Sequence, residues 1–157
     1  MTPLVILSAP SPEATAQIAT RFGGGLRAGD TVLLHGPVGA GKSHFARALI
    51  QSRLAAEGRS EDVPSPTFTL VQTYALAGVE IWHADLYRLH DPLECVELGL
   101  DQAFEQAICL VEWPDRLGSL TPAAALHLSL AQGADPEARV LTFAGHPDWA
   151  ARLRGLA

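Results

Sequence analysis

Residues 36–43 read Gly-Pro-Val-Gly-Ala-Gly-Lys-Ser, which satisfies the pattern GxxxxGK[ST], and no other part of the chain restricts the fold as much. Such a loop works only between a strand and a helix. Its glycines let successive amides turn inward on phosphate oxygens, and the following helix adds the positive end of its dipole. The flanking residues comply. Thr31 to His35 is a β-branched and leucine run of the buried-strand type, and Phe45, Ala46, Leu49, Ile50 and Leu54 mark a helix ending near Gly58. Gly36, Val38, Gly39, Ala40, Gly41, Lys42 and Ser43 are therefore candidate nucleotide-binding residues. The Lys42 ammonium suits β- and γ-phosphates, and the Ser43 hydroxyl suits a Mg²⁺ ion whose remaining ligands are phosphate oxygens and water. Composition supports the assignment. Ten of the eleven cations are arginines, and Lys42 is the one lysine. That slot calls for a compact charge on a flexible stem, which a planar guanidinium does not supply.

The rest of the chain alternates between strand and helix signals, as an α/β fold requires. Ser11 and Pro12 open a helix over 12–22. Thr67 to Tyr74 and Val79 to His83 form a hairpin around Gly78, and two short helical stretches, Pro92 to Leu98 and Leu100 to Gln106, break at Gly99. Ala107 to Val111 is fully apolar and reads as a central strand. Leu126 to Leu130 and Val140 to Phe143 are two late strands, and Trp149 to Leu156 is a final amphipathic helix. With 157 residues and no repeat or composition break, one domain over residues 1–157 is expected.

A phosphate loop needs a carboxylate near the metal, and two candidates close predicted strands: Glu112 after Ile108 to Val111, and Asp85 after Ile81 to Ala84. The run before Glu112 is the more hydrophobic, which favours Glu112 for the Mg²⁺ or water-positioning role, with Asp85 second. Thr67, where the loop with Pro64 and Pro66 meets the next strand, stands where switch loops sense a γ-phosphate. The net charge is −6, and the acid surplus is local: residues 80–115 hold nine carboxylates against Arg88 alone. Such a chain gains little counterion-release drive toward DNA, RNA or anionic lipid. Cys95 and Cys109 lack CxxC spacing, and the six histidines show no metal-binding spacing. The apolar run Pro3 to Leu7 has no basic flank and no stretch is long enough to span a bilayer, so a cytoplasmic protein is expected.

Several segments together resemble one family, the TsaE-type ATPases of bacterial threonylcarbamoyladenosine tRNA modification. They are Gly36 to Ser43, Ser65-Pro-Thr-Phe-Thr-Leu-Val71 with Tyr74, His83-Ala-Asp-Leu-Tyr-Arg88, Glu97-Leu-Gly99 and Val111-Glu-Trp-Pro-Asp-Arg-Leu117. The resemblance implies a single P-loop domain with a mixed, mainly parallel sheet flanked by helices. It also implies ATP with Mg²⁺ and a complex with two partner proteins, through which the chain reaches tRNA. By matching position it implies that Lys42 holds phosphates, that Ser43 and Glu112 hold Mg²⁺, and that Lys42, Glu112 and Asp85 are catalytic. Thr67 falls in a switch-like loop and Thr15 at an adenine-side contact. The chain departs from the family at Pro37-Val38, where Asp-Leu is usual, and at Ser43, where Thr is more frequent. Pro37 removes one amide, while the amides from Gly39 onward remain. Two rivals share these features: a small-molecule P-loop kinase, although the later half has only scattered arginines, and a nucleotide-dependent regulatory switch.

Overall fold

A computed structural model describes residues 1–156; Ala157, the last residue of the expected domain, lies outside them. Seven strands form one sheet: β1 (Pro3–Ala9), β2 (Thr31–His35), β3 (Val71–Leu76), β4 (Val79–Asp85), β5 (Ile108–Glu112), β6 (Leu126–Gln132) and β7 (Arg139–Ala144). Their order is β1-β7-β6-β2-β5-β4-β3. The β6-β2-β5-β4 block is parallel, β7 runs antiparallel between β1 and β6, and β3 pairs antiparallel with β4. β1, β2, β4, β5 and β6 thus point one way and β3 and β7 the other, which is the mixed, mainly parallel sheet expected.

Helices cover both faces. On one lie α1 (Pro12–Gly23), α2 (Lys42–Ala55) and the short α5 (Asp148–Arg152), packed on the sheet through Ile18, Phe22, Phe45, Leu49, Leu54 and Trp149. On the other lie α3 (Pro92–Glu97), α4 (Leu100–Gln106) and a 3-10 segment, Pro114–Leu120, with Leu100 and Leu117 among the buried contacts. Local chemistry sets the helix starts. The Ser11 hydroxyl accepts from the Ala14 amide at 3.1 Å, and Asp91 with Glu94 forms a reciprocal cap ahead of Pro92. β2 and β5, buried on both faces, are the continuous apolar runs that a central parallel strand needs. Among the described residues, no helix is long and apolar enough to cross a membrane.

Besides shifts of one to three residues at element ends, three features differ from the sequence reading. β3 begins at Val71 instead of Thr67, because residues 66–69 form a turn closed by the Leu70 amide on the Pro66 carbonyl at 2.7 Å, with Leu70 at φ 69°. Pro3 to Leu7, read only as an apolar run, falls in edge strand β1, whose residues pair with β7 partners 130 or more positions away in sequence. The final helix is two pieces, α5 and a 3-10 turn at Arg154–Leu156.

Candidate nucleotide site

The polypeptide leaves β2 at His35, turns through the glycine loop and enters α2 at Lys42, at the carboxyl end of the parallel strands, where open α/β sheets bind ligands. Gly36 has φ 145° and lies so close to β6 that a Cβ there would stand 2.6 Å from the Leu130 carbonyl oxygen. Gly41, at φ 102°, precedes α2 without any side-chain cap, and the first turn of α2 holds no acid. The amides and dipole at that end are thus left for an external anion.

Side-chain alternation brings the chemistry together. His83, Asp85 and Glu112 fall on the same sheet face as Ile81 and Leu110, the face that carries α2. Asp85 is paired with Glu112 in the β4–β5 register. The Ser43 hydroxyl stands 3.0 Å from both Glu112 carboxylate oxygens, and His83 Nε2 is 2.7 Å from Oε2 of the same group. Asp85 accepts from the Tyr87 amide at 3.0 Å and from the Thr67 hydroxyl at 3.4 Å. Both carboxylates are buried, as is Lys42.

The Lys42 ammonium donates to the Gly36 carbonyl and lies 3.7 Å from the centre of the Trp113 ring. Burial pushes its pKa below the ordinary lysine value, and Glu112, Asp85 and Asp115 oppose that shift. Trp113 itself holds a left-handed conformation, φ 56° and ψ 53°, which costs a non-glycine residue about 1–2 kcal/mol. Strained residues of this kind concentrate at functional sites, and Trp113 and Leu70 flank this one.

A cavity of about 620 Å³ opens over the loop, and Thr15, Val38, Gly39, Gly41, Lys42, Ser43, Thr67, Asp85 and Glu112 all line it. Gly36 and Ala40 form the loop behind that wall. Thr15 is buried, and its hydroxyl has no hydrogen-bond partner among the described residues. The cavity wall also includes His44, Glu137, Trp113 and Arg139, which the sequence reading did not assign. Arg139, from β7, donates to the Ala40 carbonyl at 2.9 Å and the Gly39 carbonyl at 3.2 Å, fastening the glycine loop to that strand. His35 lies on the opposite sheet face, with Nε2 2.9 Å from His127 Nδ1.

Oxygen donors dominate the site, from Ser43, Glu112 and Asp85. Among the described residues no group of three His, Cys, Asp or Glu converges as a metal cage. That donor set fits a Mg²⁺ ion held by one or two protein oxygens with phosphate and water, the usual way this hard cation binds.

A family model described as "Threonylcarbamoyl adenosine biosynthesis protein TsaE" matches residues 9–140. The tRNA threonylcarbamoyladenosine biosynthesis protein TsaE of Rickettsia bellii is 38% identical over 120 residues, 76% of this chain and 81% of that protein. Its counterpart in Bacillus subtilis is 34% identical over 134 residues, 85% of this chain and 80% of that one. The crystal structure of Bacillus subtilis YdiB superposes with a TM-score of 0.78 at 25% identity, covering 97% of this chain and 93% of that one. A match over most of the sequence, carried through to the fold, leaves one conclusion: the chain belongs to the TsaE family.

Proposed function

We propose that residues 1–157 act as one unit, a Mg²⁺-dependent ATPase that serves threonylcarbamoyladenosine modification of tRNA, the process named for its relatives. The observation that carries the reading is the Ser43 hydroxyl bonded to Glu112 at an uncapped helix start, with Lys42 beside it and Asp85 one strand away. In this reading the loop amides and Lys42 bind the phosphate chain, and Thr15, with its unpartnered hydroxyl, meets the adenine side. Ser43 and Glu112 would hold Mg²⁺, which neutralises charge on the β- and γ-phosphate oxygens. Asp85, steadied by the Tyr87 amide and the Thr67 hydroxyl, orients the water that attacks the γ-phosphorus and yields ADP and phosphate. Thr67, in its turn beside that carboxylate, is the switch residue that senses whether the γ-phosphate is present.

The acidic balance suits a cytoplasmic subunit that leaves tRNA to two partner proteins of a threonylcarbamoyl-transferase complex. The test is ATP hydrolysis measured alone and with those partners. Slow turnover alone, raised by the partners, supports the reading. Rapid phosphorylation of a nucleoside or sugar by the chain by itself would overturn it in favour of a small-molecule kinase.

A further inference from the structure

His83 is the one histidine of the six that is fully buried, at 1% exposure. Buried polar groups normally find partners, yet among the described residues Nδ1 has none. The ring therefore makes its single polar contact through Nε2, which donates to Glu112 Oε2 at 2.7 Å, a length typical of charge-assisted bonds. A leucine or phenylalanine would fill the same space without leaving a nitrogen unpaired.

The hydrogen bonds around Glu112 show what that contact does. Ser43 Oγ stands at the same 3.0 Å from Oε1 and Oε2, so it fixes where the carboxylate sits but does not distinguish its two oxygens. His83 touches Oε2 alone. Its N–H removes the remaining freedom of rotation and leaves Oε1 as the oxygen without a ring partner. β4 delivers His83 and Asp85 two residues apart on one face, so the strand that supplies the second carboxylate also orients the first.

We propose that His83 is a positioning residue, whose Nε2–H sets the carboxylate plane of Glu112 and so presents Oε1, the oxygen that His83 does not hold, to the cation and phosphate side of the cavity. This rests on the ATPase reading above and adds a group that acts through Glu112 without touching nucleotide.

Three variants test it. His83→Gln places a side-chain N–H near the position of Nε2, His83→Asn has a donor that falls short of Glu112, and His83→Leu has volume and no donor. ATP and ADP affinities are measured by calorimetry in Mg²⁺ and in EDTA, alongside kcat, KM and thermal melting. Loss of an orienting partner around a metal site typically costs about 10–100-fold. The Asn and Leu variants are accordingly expected to lose kcat and the Mg²⁺-dependent part of nucleotide affinity by that factor, with EDTA affinity unchanged. His83→Gln is expected to stay within roughly threefold of the parent, under about 1 kcal/mol. A Gln variant as impaired as Asn, wild-type behaviour in all three, or equal losses in Mg²⁺ and EDTA would overturn the proposal. Should the Leu variant not fold, the contrast between Gln and Asn still decides. A parent protein that hydrolyses no ATP refutes the ATPase reading instead, while Mg²⁺-dependent ADP binding in the variants still reports on His83.

Discussion

Two glycines of the same loop should respond to one added methyl group in the same direction and to unequal extents. At Gly36 the backbone has φ 145°, and a Cβ would meet the Leu130 carbonyl oxygen at 2.6 Å and Ala40 Cβ at 3.2 Å. The backbone conformation alone costs alanine about 1–3 kcal/mol. Displacing a carbonyl in the β6 ladder adds roughly 1–3 kcal/mol, the range for overpacking. Gly36→Ala should therefore lose about 2–6 kcal/mol, an appreciable part of the 5–15 kcal/mol that holds such domains folded. Gly39, at φ 83°, has nothing within 4 Å of its would-be Cβ. Gly39→Ala should lose only the conformational part, about 1–2 kcal/mol. At roughly 2–4 °C per kcal/mol for a chain of this size, the overpacking at Gly36 of roughly 1–3 kcal/mol should make Gly36→Ala melt about 2–12 °C below Gly39→Ala in calorimetry without nucleotide. Equal shifts, or a larger one for Gly39→Ala, would refute the account of the loop as pressed against β6 at one end and open at the other.

Three other outcomes are expected. Glu112→Gln should abolish ATP turnover and cut Mg²⁺-dependent ATP affinity at least as far as His83→Asn does, while affinity in EDTA changes less than tenfold, about 1.4 kcal/mol; steady-state hydrolysis with binding calorimetry checks this, and unchanged turnover would move the role to Asp85. Burial is the main cause of the lowered His35 pKa, with His127 and Lys42 adding to it and Asp115 opposing; burial also lowers His127, with a smaller push from the N-terminal ammonium. Because the unfolded chain then binds more protons than the folded one, this contribution is complete above the ordinary histidine pKa near 6.5 and is lost as pH falls below it. Urea unfolding at pH 7.5, 6.5 and 5.5 should show a steeper acid loss for the parent than for a His35→Gln/His127→Gln double variant, and parallel profiles would count against the pair. The Cys109 thiol is pushed up to about 12 by burial, and Cys95 is raised for the same reason. Iodoacetamide at pH 8 should leave both untouched in the native protein and label both in urea, as counted by mass spectrometry.

The parts of this structure that could be read from sequence are those in which neighbours along the chain are also neighbours in space. Strand β2, the glycine loop and α2 form one local unit, and the glycines, Pro12 and the apolar spacing each bear on a residue within a few positions. β1 could not be recognised that way, since its strand partner, β7, lies at the other end of the sequence. The turn at 66–69 was hidden by Leu70, a residue that seldom adopts the positive φ it has here. Lys42, Ser43, Glu112 and Asp85 could be proposed as site residues from motif and strand ends. The contacts of Glu112 with His83 and of the loop with Arg139 could not, because they join residues 29 and 99 positions apart. A signal for His83 was present in the alternation His83, Asp85, which puts both on the face of β4 that Glu112 shares once the two strands are laid in parallel register.

That register has a consequence for variation in length. Asp85 and Glu112 are held opposite each other by the β4–β5 ladder, so their separation follows the strand spacing of a sheet, roughly 4.8 Å between backbones. The intervening crossover through α3 and α4 acts as a tether whose length does not set the distance. Insertions or deletions in its exposed turns leave the two carboxylates in place, whereas a single residue added inside either strand sends one of them to the opposite face. The exposed turns between the two acids are free to vary in length, and the two short strands that end in them are not.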